Sequence, residues 1–188
     1  MNIDTIKILS TNRLILRQWK SEDYAPFAEL NACTKVMEHF PSTLNEVEST
    51  NLALKLAKLI SDRGWGIWAV EEKLSNKFIG FVGLHNSPPD LDVSPATEIG
   101  WRLMNQFWGK GYATEAAEKV LEFAFDDLNL TSVISVTSVV NKASQKVMER
   151  IKMINTEKNF NDPLVHNEQL KEQVLYQITK EQWVAKTL

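Results

Sequence analysis

The chain has 188 residues, of which 44% are hydrophobic and 24% are charged, and its formal net charge at pH 7 is -3. This composition is ordinary for a soluble globular protein and excludes collagen-like, coiled-coil and disordered classes. The net negative charge argues against a general nucleic-acid-binding protein, which would carry a basic excess. We therefore expect a single domain over residues 1–188, with no nucleic-acid partner.

The cysteine and histidine residues give no pattern of a disulfide or a metal site. Cys33 is the only cysteine, and the three histidines, at positions 39, 85 and 166, lie too far apart for a zinc spacing. We interpret Cys33 as a small hydrophobic residue. Met1 leads into polar sequence without a signal-peptide pattern, and no apolar run reaches spanning length. The sequence predicts a cytoplasmic protein with no metal and no membrane partner.

The first part of the chain predicts one strand followed by two helices. Residues 13–19 alternate in polarity as a strand does, and a helical pattern follows from Ser21. Thr43 and Glu46 have the spacing of a capping box, which would begin the second helix. That helix is expected to stop at Gly64.

A hairpin and a further strand are predicted next. The runs 65–72 and 77–86 are rich in β-forming residues and flank a short turn, and the three prolines of 87–97 indicate a surface loop. Residues 98–104 alternate as a strand. Its two faces would carry Ile99, Trp101 and Leu103 on one side and Glu98, Gly100 and Arg102 on the other.

The remaining predicted elements are a helix, a strand, a helix and a strand. The first helix follows Gly111 and carries apolar residues at helical spacing. The β-branched run 131–140 is typical of a buried strand, and Asn141 is a natural N-cap for the next helix. Residues 172–179 form the last strand.

The stretch QFWGKGYATEA, residues 106–116, places Gly109 and Gly111 at the opening of a helix. Glycine there costs about 1 kcal/mol relative to alanine, so the pair asks for a structural reason. A helix N-terminus exposes N–H groups and partial positive charge, and glycine lets a bulky anion approach them. Lys110 adds a positive charge. The motif predicts a phosphate cradle; the alternative is an ordinary strand-to-helix turn.

Two other phosphate-binding motifs do not fit this spacing. A P-loop would need a glycine five residues before a Gly-Lys-Ser/Thr sequence, and a dinucleotide fingerprint would place its third small residue on Thr114. The next strand also ends in Val139, Val140 and Asn141 where a ribose-binding acid would stand. The sequence therefore argues against Rossmann-type cofactor use.

Gln106, Gly109 and Gly111 match the Gln/Arg-x-x-Gly-x-Gly/Ala signature of the GNAT superfamily of N-acetyltransferases, which the chain resembles. The segments TNRLILRQW, KVMEHFP, FIGFVGL, EIGW, GKGYATEA and VLYQITKEQW are similar to its RimJ/RimL-like branch. The resemblance covers nearly the whole chain. It implies an α/β (α+β) fold with a mixed, mostly antiparallel central sheet flanked by helices, and with strands splayed apart at the cofactor site.

The resemblance also implies acetyl-coenzyme A as co-substrate. Its pyrophosphate would lie on the glycine loop and its pantetheine arm between the strands 98–104 and 132–140. Asn141 and Ser144 would touch that arm or the thioester end, and both also suit helix capping, a compatible interpretation. The implied cofactor-binding residues are Gln106, Phe107, Trp108, Gly109, Lys110, Gly111, Tyr112, Ala113, Asn141 and Ser144.

Acetyl transfer to an amine needs a neutral amine, a donor for the tetrahedral oxyanion and a proton for the leaving thiolate. The family often has a glutamate at the position of Glu98, which is our candidate base, acting directly or through water. The alternative for Glu98 is an ion pair with Arg102. Ser144 is the candidate acid. The helix that begins at Asn141 departs from the family in having no tyrosine at the usual spacing. An amide of 98–104 would bind the oxyanion, and His85 would either line the acceptor site or lie on the surface.

The acceptor is left open between a protein N-terminal α-amine and a small-molecule amine. By analogy with the fold, Trp19, residues 37–41 and residues 87–97 would shape the acceptor side, with Asp90 and Asp92 attracting a cation. A noncatalytic coenzyme A-binding module and a purely structural domain are the alternatives to an enzyme. The resemblance is also compatible with a homodimer. One departure from the family is Lys152, where a glycine is usual, so the helix there needs a left-handed lysine or a different end.

Overall fold

The structure is a computed structural model that describes residues 6–87, 93–163 and 165–187. The strands are β1 Leu9–Ser10, β2 Leu14–Arg17, β3 Ile67–Glu72, β4 Lys77–Asn86, β5 Thr97–Leu103, β6 Ser132–Ser138, β7 Ile154–Asn155, β8 Phe160–Asn161 and β9 Glu172–Thr179. The helices are α1 Tyr24–Ala32, α2 Glu46–Arg63, α3 Tyr112–Asp126, α4 Lys142–Arg150, α5 Glu168–Lys171 and α6 Lys180–Thr187.

Within these residues the strands form one nine-stranded sheet in the order β1-β2-β3-β4-β5-β6-β9-β7, with β8 paired to β9. The described strand pairs are antiparallel except for β5 with β6, which α3 connects as a crossover helix. The prediction of a mixed, mostly antiparallel sheet flanked by helices is confirmed. The helices in the described residues are too short or too polar to cross a membrane.

The sheet is weakly joined between β5 and β6. β4 pairs with β5 along its whole length, from Asn86 opposite Thr97 to Gly80 opposite Leu103. β5 and β6 share a single register position in the described structure, Glu98 opposite Ile134. The ladder ends there, so the two strands are splayed toward their C-terminal ends, as the resemblance implied.

The two faces of β5 differ. Ile99 and Leu103 are buried in the hydrophobic core, and α3 packs against β4 and β5. On the opposite face, Arg102 reaches Asn31 of α1. The predicted alternation along this strand is confirmed, because successive side chains of a strand point to opposite faces.

The start of α2 corrects one prediction. The capping box is formed by Asn45 and Glu48, not by Thr43 and Glu46: Asn45 Oδ1 accepts from Glu48 N at 2.9 Å, and Glu48 Oε2 accepts from Asn45 N at 2.8 Å. Asn45 is the extended residue directly before the helix, so its short side chain reaches the first-turn amide. α2 ends at Gly64, with φ +82°, as predicted.

The end of α4 has a lysine at the position where the family usually has a glycine. Lys152 has φ +67°, a left-handed conformation. Met153 N donates to Met148 O at 2.9 Å and Lys152 N donates to Glu149 O at 3.0 Å, which closes the helix. Of the two alternatives offered for this position, the left-handed lysine is the one observed.

Candidate active site

The segment 104–111 joins β5 to α3 and forms the predicted phosphate loop. Gly109 and Gly111 have φ +75° and +80°, in the left-handed region that glycine adopts without strain. A Cβ placed on Gly109 would meet nothing within 4 Å, so that side of the loop is open. The N-cap of α3 is Gly111, which has no side chain that could cap the helix. The first-turn amides are therefore available to an anion.

Arg13 braces this loop from the edge of β2. Its Nη1 donates to Lys110 O at 2.9 Å, and its Nε and Nη2 each lie 2.6 Å from Glu115 Oε2. Its guanidinium carbon is 4.5 Å from the ring centroid of Tyr112. No sequence pattern predicts a role for Arg13 or Glu115. The sequence shows that Glu115 is an acidic residue in the first turn of α3. That position alone does not predict an ion pair with a residue of a distant strand.

The aromatic side chains anchor the loop to the sheet. Phe107 is buried, with its ring centroid 6.4 Å from that of Tyr112. Tyr112 OH donates to Glu72 Oε1 at 2.5 Å. Trp108 is 43% exposed, and its Nε1 donates to Leu103 O at 2.7 Å. The loop is completed by Gln106 and Lys110, which are exposed, and by Ala113, which is half-buried.

The start of α4 follows β6 at the same edge of the sheet as the phosphate loop, because β5 and β6 are parallel neighbours. Asn141 Oδ1 accepts from Ser144 N at 3.1 Å. Asn141 Nδ2 donates to Thr137 Oγ1 at 3.0 Å and to Ser144 Oγ at 3.2 Å. Capping by Asn141 is confirmed, and contact of Asn141 and Ser144 with a cofactor stays a prediction.

Glu98 lies where the ladder between β5 and β6 ends. Its side chain is 14% exposed. Burial raises the pKa of Glu98, and the charge of Asp162 adds to the rise, while the charge of His85 and a backbone hydrogen bond from Val136 oppose it. A carboxyl group whose pKa is raised accepts a proton more readily near neutral pH.

His85 faces Glu98 across the β4–β5 pair. The two residues are directly opposite in register, and His85 Nε2 lies 3.7 Å from Glu98 Oε2. The imidazole is 34% exposed. His85 is therefore a neighbour of Glu98, and its place in an acceptor site stays a prediction.

The alternative ion pair between Glu98 and Arg102 is not formed. Arg102 Nη1 donates to Asn31 Oδ1 at 2.6 Å, and the guanidinium carbon lies 3.9 Å from the ring centroid of Phe40. Four residues along a strand span about 13 Å, too far for these two side chains to meet. The structure likewise shows no hydrogen bond between Glu98 and Ser144 among the described contacts.

The residues at this edge of the sheet fit the groups of coenzyme A. The start of α3, with Gly111 as N-cap, suits a pyrophosphate, and Lys110 in the loop and Lys142 in α4 are exposed. Thr114 Oγ1 and Ser138 Oγ are buried and have no hydrogen-bond partner in the described structure, as expected for polar atoms that a ligand would meet. Across the described chain, no group of three or more His, Cys, Asp or Glu side chains could hold a metal ion.

Other predicted acceptor-side residues are only partly described. Trp19 is buried, and its Nε1 donates to Ile67 O at 2.9 Å, so it supports the sheet. His39 and Phe40 of the 37–41 segment are half-buried. Asp90 and Asp92 lie outside the described residues.

Known proteins support this assignment of the fold. Residues 13–154 match the family model described as "Acetyltransferase (GNAT) domain". FsC-acetyl coenzyme A-N(2)-transacetylase of Aspergillus fumigatus is 33% identical over 126 residues, which are 64% of this chain and 53% of that protein. The chain thus spans about half the length of this fungal relative.

Two solved structures show the same architecture. An acetyltransferase of the GNAT family from Bacillus anthracis has a TM-score of 0.78 and 25% identity, covering 93% of this chain and 99% of that one. Ribosomal-protein-S5-alanine acetyltransferase from Vibrio fischeri has a TM-score of 0.71 at 19% identity, covering 94% and 98%, a likeness of fold alone. The RimJ/RimL-like assignment therefore stays a prediction. With a family model matching most of its length, the chain belongs to the GNAT acetyltransferase family.

Proposed function

We propose that the protein is an N-acetyltransferase that moves the acetyl group of acetyl-coenzyme A to a primary amine by direct attack within a ternary complex. The acceptor is a protein N-terminal α-amine or a small-molecule amine. The observation that carries this proposal is the buried carboxyl of Glu98 at the register position that joins β5 to β6. Family membership supports the acetyltransferase class.

The chain's own groups suit the binding of this co-substrate. When bound, acetyl-coenzyme A supplies a thioester that is reactive toward amines. Residues 106–113 would hold its pyrophosphate through the backbone amides of the loop and the first turn of α3. Asn141 and Ser144 would contact the pantetheine arm from the start of α4.

Glu98 takes the proton of the incoming ammonium, directly or through a water molecule. Deprotonating a lysine-like amine, with a pKa of about 10.4, costs about 4.6 kcal/mol at pH 7, whereas an α-amine with a pKa near 8 costs about 1.4 kcal/mol. His85, when protonated, stabilises the ionised form of Glu98. A base therefore contributes most for lysine-like acceptors.

The oxyanion donor and the acid that protonates the leaving thiolate are assigned to groups near the point where β5 and β6 separate. Ser144 is proposed to return a proton to the leaving sulfur, and a backbone amide of β5 to donate to the tetrahedral oxyanion. Direct attack needs no acyl-enzyme, so Cys33 has no catalytic role. It ends α1, where its backbone N donates to Leu30 O at 3.3 Å.

Product analysis tests this proposal. The protein is incubated with acetyl-coenzyme A and a panel of peptides with varied N-termini, polyamines, amino acids and aminoglycosides, and acetylated products are identified by mass spectrometry. We expect acetylation of one acceptor class, strongly reduced in the Glu98→Gln variant. Tight coenzyme A binding with no product from any acceptor would instead favour a noncatalytic coenzyme A-binding module.

A further inference from the structure

Arg102 is a cation without an acidic partner in the described part of the chain. Its described hydrogen bond runs from Nη1 to the neutral Asn31 Oδ1, at 2.6 Å. The guanidinium carbon lies 3.9 Å from the ring centroid of Phe40 and 5.2 Å from that of Phe81. Its Nε is buried and has no hydrogen-bond partner in the described structure. One side of the guanidinium is thus held in place, and the other keeps free donors.

A structural arginine of the same chain looks different. Arg17 donates from Nη1 and Nη2 to Asp23 at 2.7 and 2.9 Å, and from Nε to Glu71 at 2.6 Å. Its buried charge is neutralised by two carboxylates. For Arg102, burial lowers the pKa to about 10, because no carboxylate offsets the loss of solvation. Arg102 carries the desolvation cost of a buried cation without the ion pair that normally accompanies it.

Arg102 shares an open strip of sheet with Glu98. Glu98, Gly100 and Arg102 lie on the same face of β5, and a Cβ placed on Gly100 would meet nothing within 4 Å. The backbones of Glu98 and Arg102 are about 13 Å apart along the strand. We call these three residues the Glu98–Arg102 strip. An acceptor lying over Gly100 could place its amine near Glu98 and its other end near Arg102.

We propose that Arg102 binds a carboxylate of the acceptor, so that the enzyme prefers amines carrying a carboxylate several bonds from the amino group. This inference rests on the proposed function. The free Nε and Nη2 edge of a guanidinium matches the two oxygens of a carboxylate. Asn31 and Phe40 hold the plane of the guanidinium, which reduces the entropy lost on binding.

The test uses amines matched in size and differing in charge. Binding of 4-aminobutyrate and 6-aminohexanoate is compared with that of their carboxamides by calorimetry on the full chain in the presence of coenzyme A. We expect at least one acid to bind about tenfold more tightly than its amide, the scale of a charge-assisted pair. Arg102→Met should remove the preference, and Arg102→Lys should keep part of it.

The matched control is Arg150→Met, which removes an exposed arginine at the end of α4 and should leave the preference intact. Equal binding of acid and amide by the wild-type protein would overturn the inference without any variant. A preference that persists in Arg102→Met would overturn it as well.

The same panel separates this inference from the proposed function. Binding of acids that depends on Arg102, with no acetylated product, would leave the carboxylate site standing and remove the enzyme assignment. Acetylation of acids and amides alike would keep the enzyme assignment and remove the carboxylate site.

Discussion

The raised pKa of Glu98 results from the position of its side chain in the sheet. Its position at the first strand after the 87–97 loop follows from the sequence and the family resemblance. Its raised pKa and its neighbour His85, 3.7 Å away, depend on the pairing of β4 with β5. Periodicity cannot pair Glu98 with a residue thirteen positions away in the sequence, because packing sets the register between the two strands.

Replacing the base should produce a pH-dependent loss of activity. We expect Glu98→Gln to lower kcat/KM at pH 7 by about 10²- to 10⁴-fold, the usual contribution of a general base. The loss should shrink at high pH, where the acceptor amine loses its proton unaided. A pH–rate profile measures this, with the exposed Glu122→Gln of α3 as control. An equal loss at every pH would contradict the base role.

The raised pKa of Glu98 also predicts how stability depends on pH. The protonated form is favoured by folding, so its contribution is fully present below the unfolded-state pKa and is lost as pH rises through the raised folded-state pKa. Glutamine does not ionise. Glu98→Gln should therefore raise Tm relative to the wild type at neutral pH, with the gap closing in acid. Calorimetric scans from about pH 4 to about pH 8 measure it; parallel Tm curves would contradict the assignment.

At the scale of elements, the phosphate loop depends on two left-handed glycines and on a brace from a distant strand. The glycines could be located from sequence, because the motif is local. The brace from Arg13 to Lys110 O and Glu115 could not, because it joins the start of β2 to the start of α3. Local spacing predicts a turn, whereas tertiary packing decides which side chain holds it.

Two substitutions at Gly109 separate backbone strain from blockage of the anion site. Gly109→Ala adds only a Cβ at φ +75°, and we expect a modest loss of coenzyme A affinity, since the strain is about 1 kcal/mol. Gly109→Glu adds bulk and negative charge, and it should abolish binding. Calorimetric titration with coenzyme A compares the two. Unchanged affinity in Gly109→Glu would remove the phosphate-loop assignment.

The left-handed lysine at the end of α4 predicts a stabilising change. Lys152→Gly relieves a φ of +67° and should raise the free energy of unfolding by about 0.5–1 kcal/mol. Lys146→Gly, at an exposed position inside the same helix, should lower it by about 1 kcal/mol. Urea denaturation measures both. Destabilisation by Lys152→Gly would show that the lysine makes an interaction that outweighs the strain.

The elements that the sequence predicts well are those with long periodic patterns. The hairpin of β3 and β4, the strands β5, β6 and β9, and the helices α3 and α4 all lie where the alternation or the helical spacing places them. The strands β1, β7 and β8 have two residues each, too few for a period to be visible. The start of α2 was misplaced because Thr43 and Asn45 both suit an N-cap, and only backbone geometry selects Asn45.

At the scale of the whole molecule, the site is assembled where a mostly antiparallel sheet changes to one parallel pair. β5 carries the proposed base, the loop after β5 is the proposed anion site, and β6 leads to α4 at the same edge. The family resemblance predicts this layout. The alternation of β5 predicts that the residues of the Glu98–Arg102 strip share one face. The free edge of the Arg102 guanidinium cannot be predicted from sequence, because it is defined by the contacts with Asn31 and Phe40.

We propose that acetyl-coenzyme A bound at the glycine loop delivers its acetyl group to an amine beside Glu98. The most direct measurement is the rate of free-thiol release from acetyl-coenzyme A across the amine panel, for the wild type, Glu98→Gln and Gly109→Glu. We expect amine-dependent release by the wild type, a slower rate in Glu98→Gln with coenzyme A affinity retained, and no release in Gly109→Glu. Wild-type and Gly109→Glu proteins that release thiol at the same rate would contradict it.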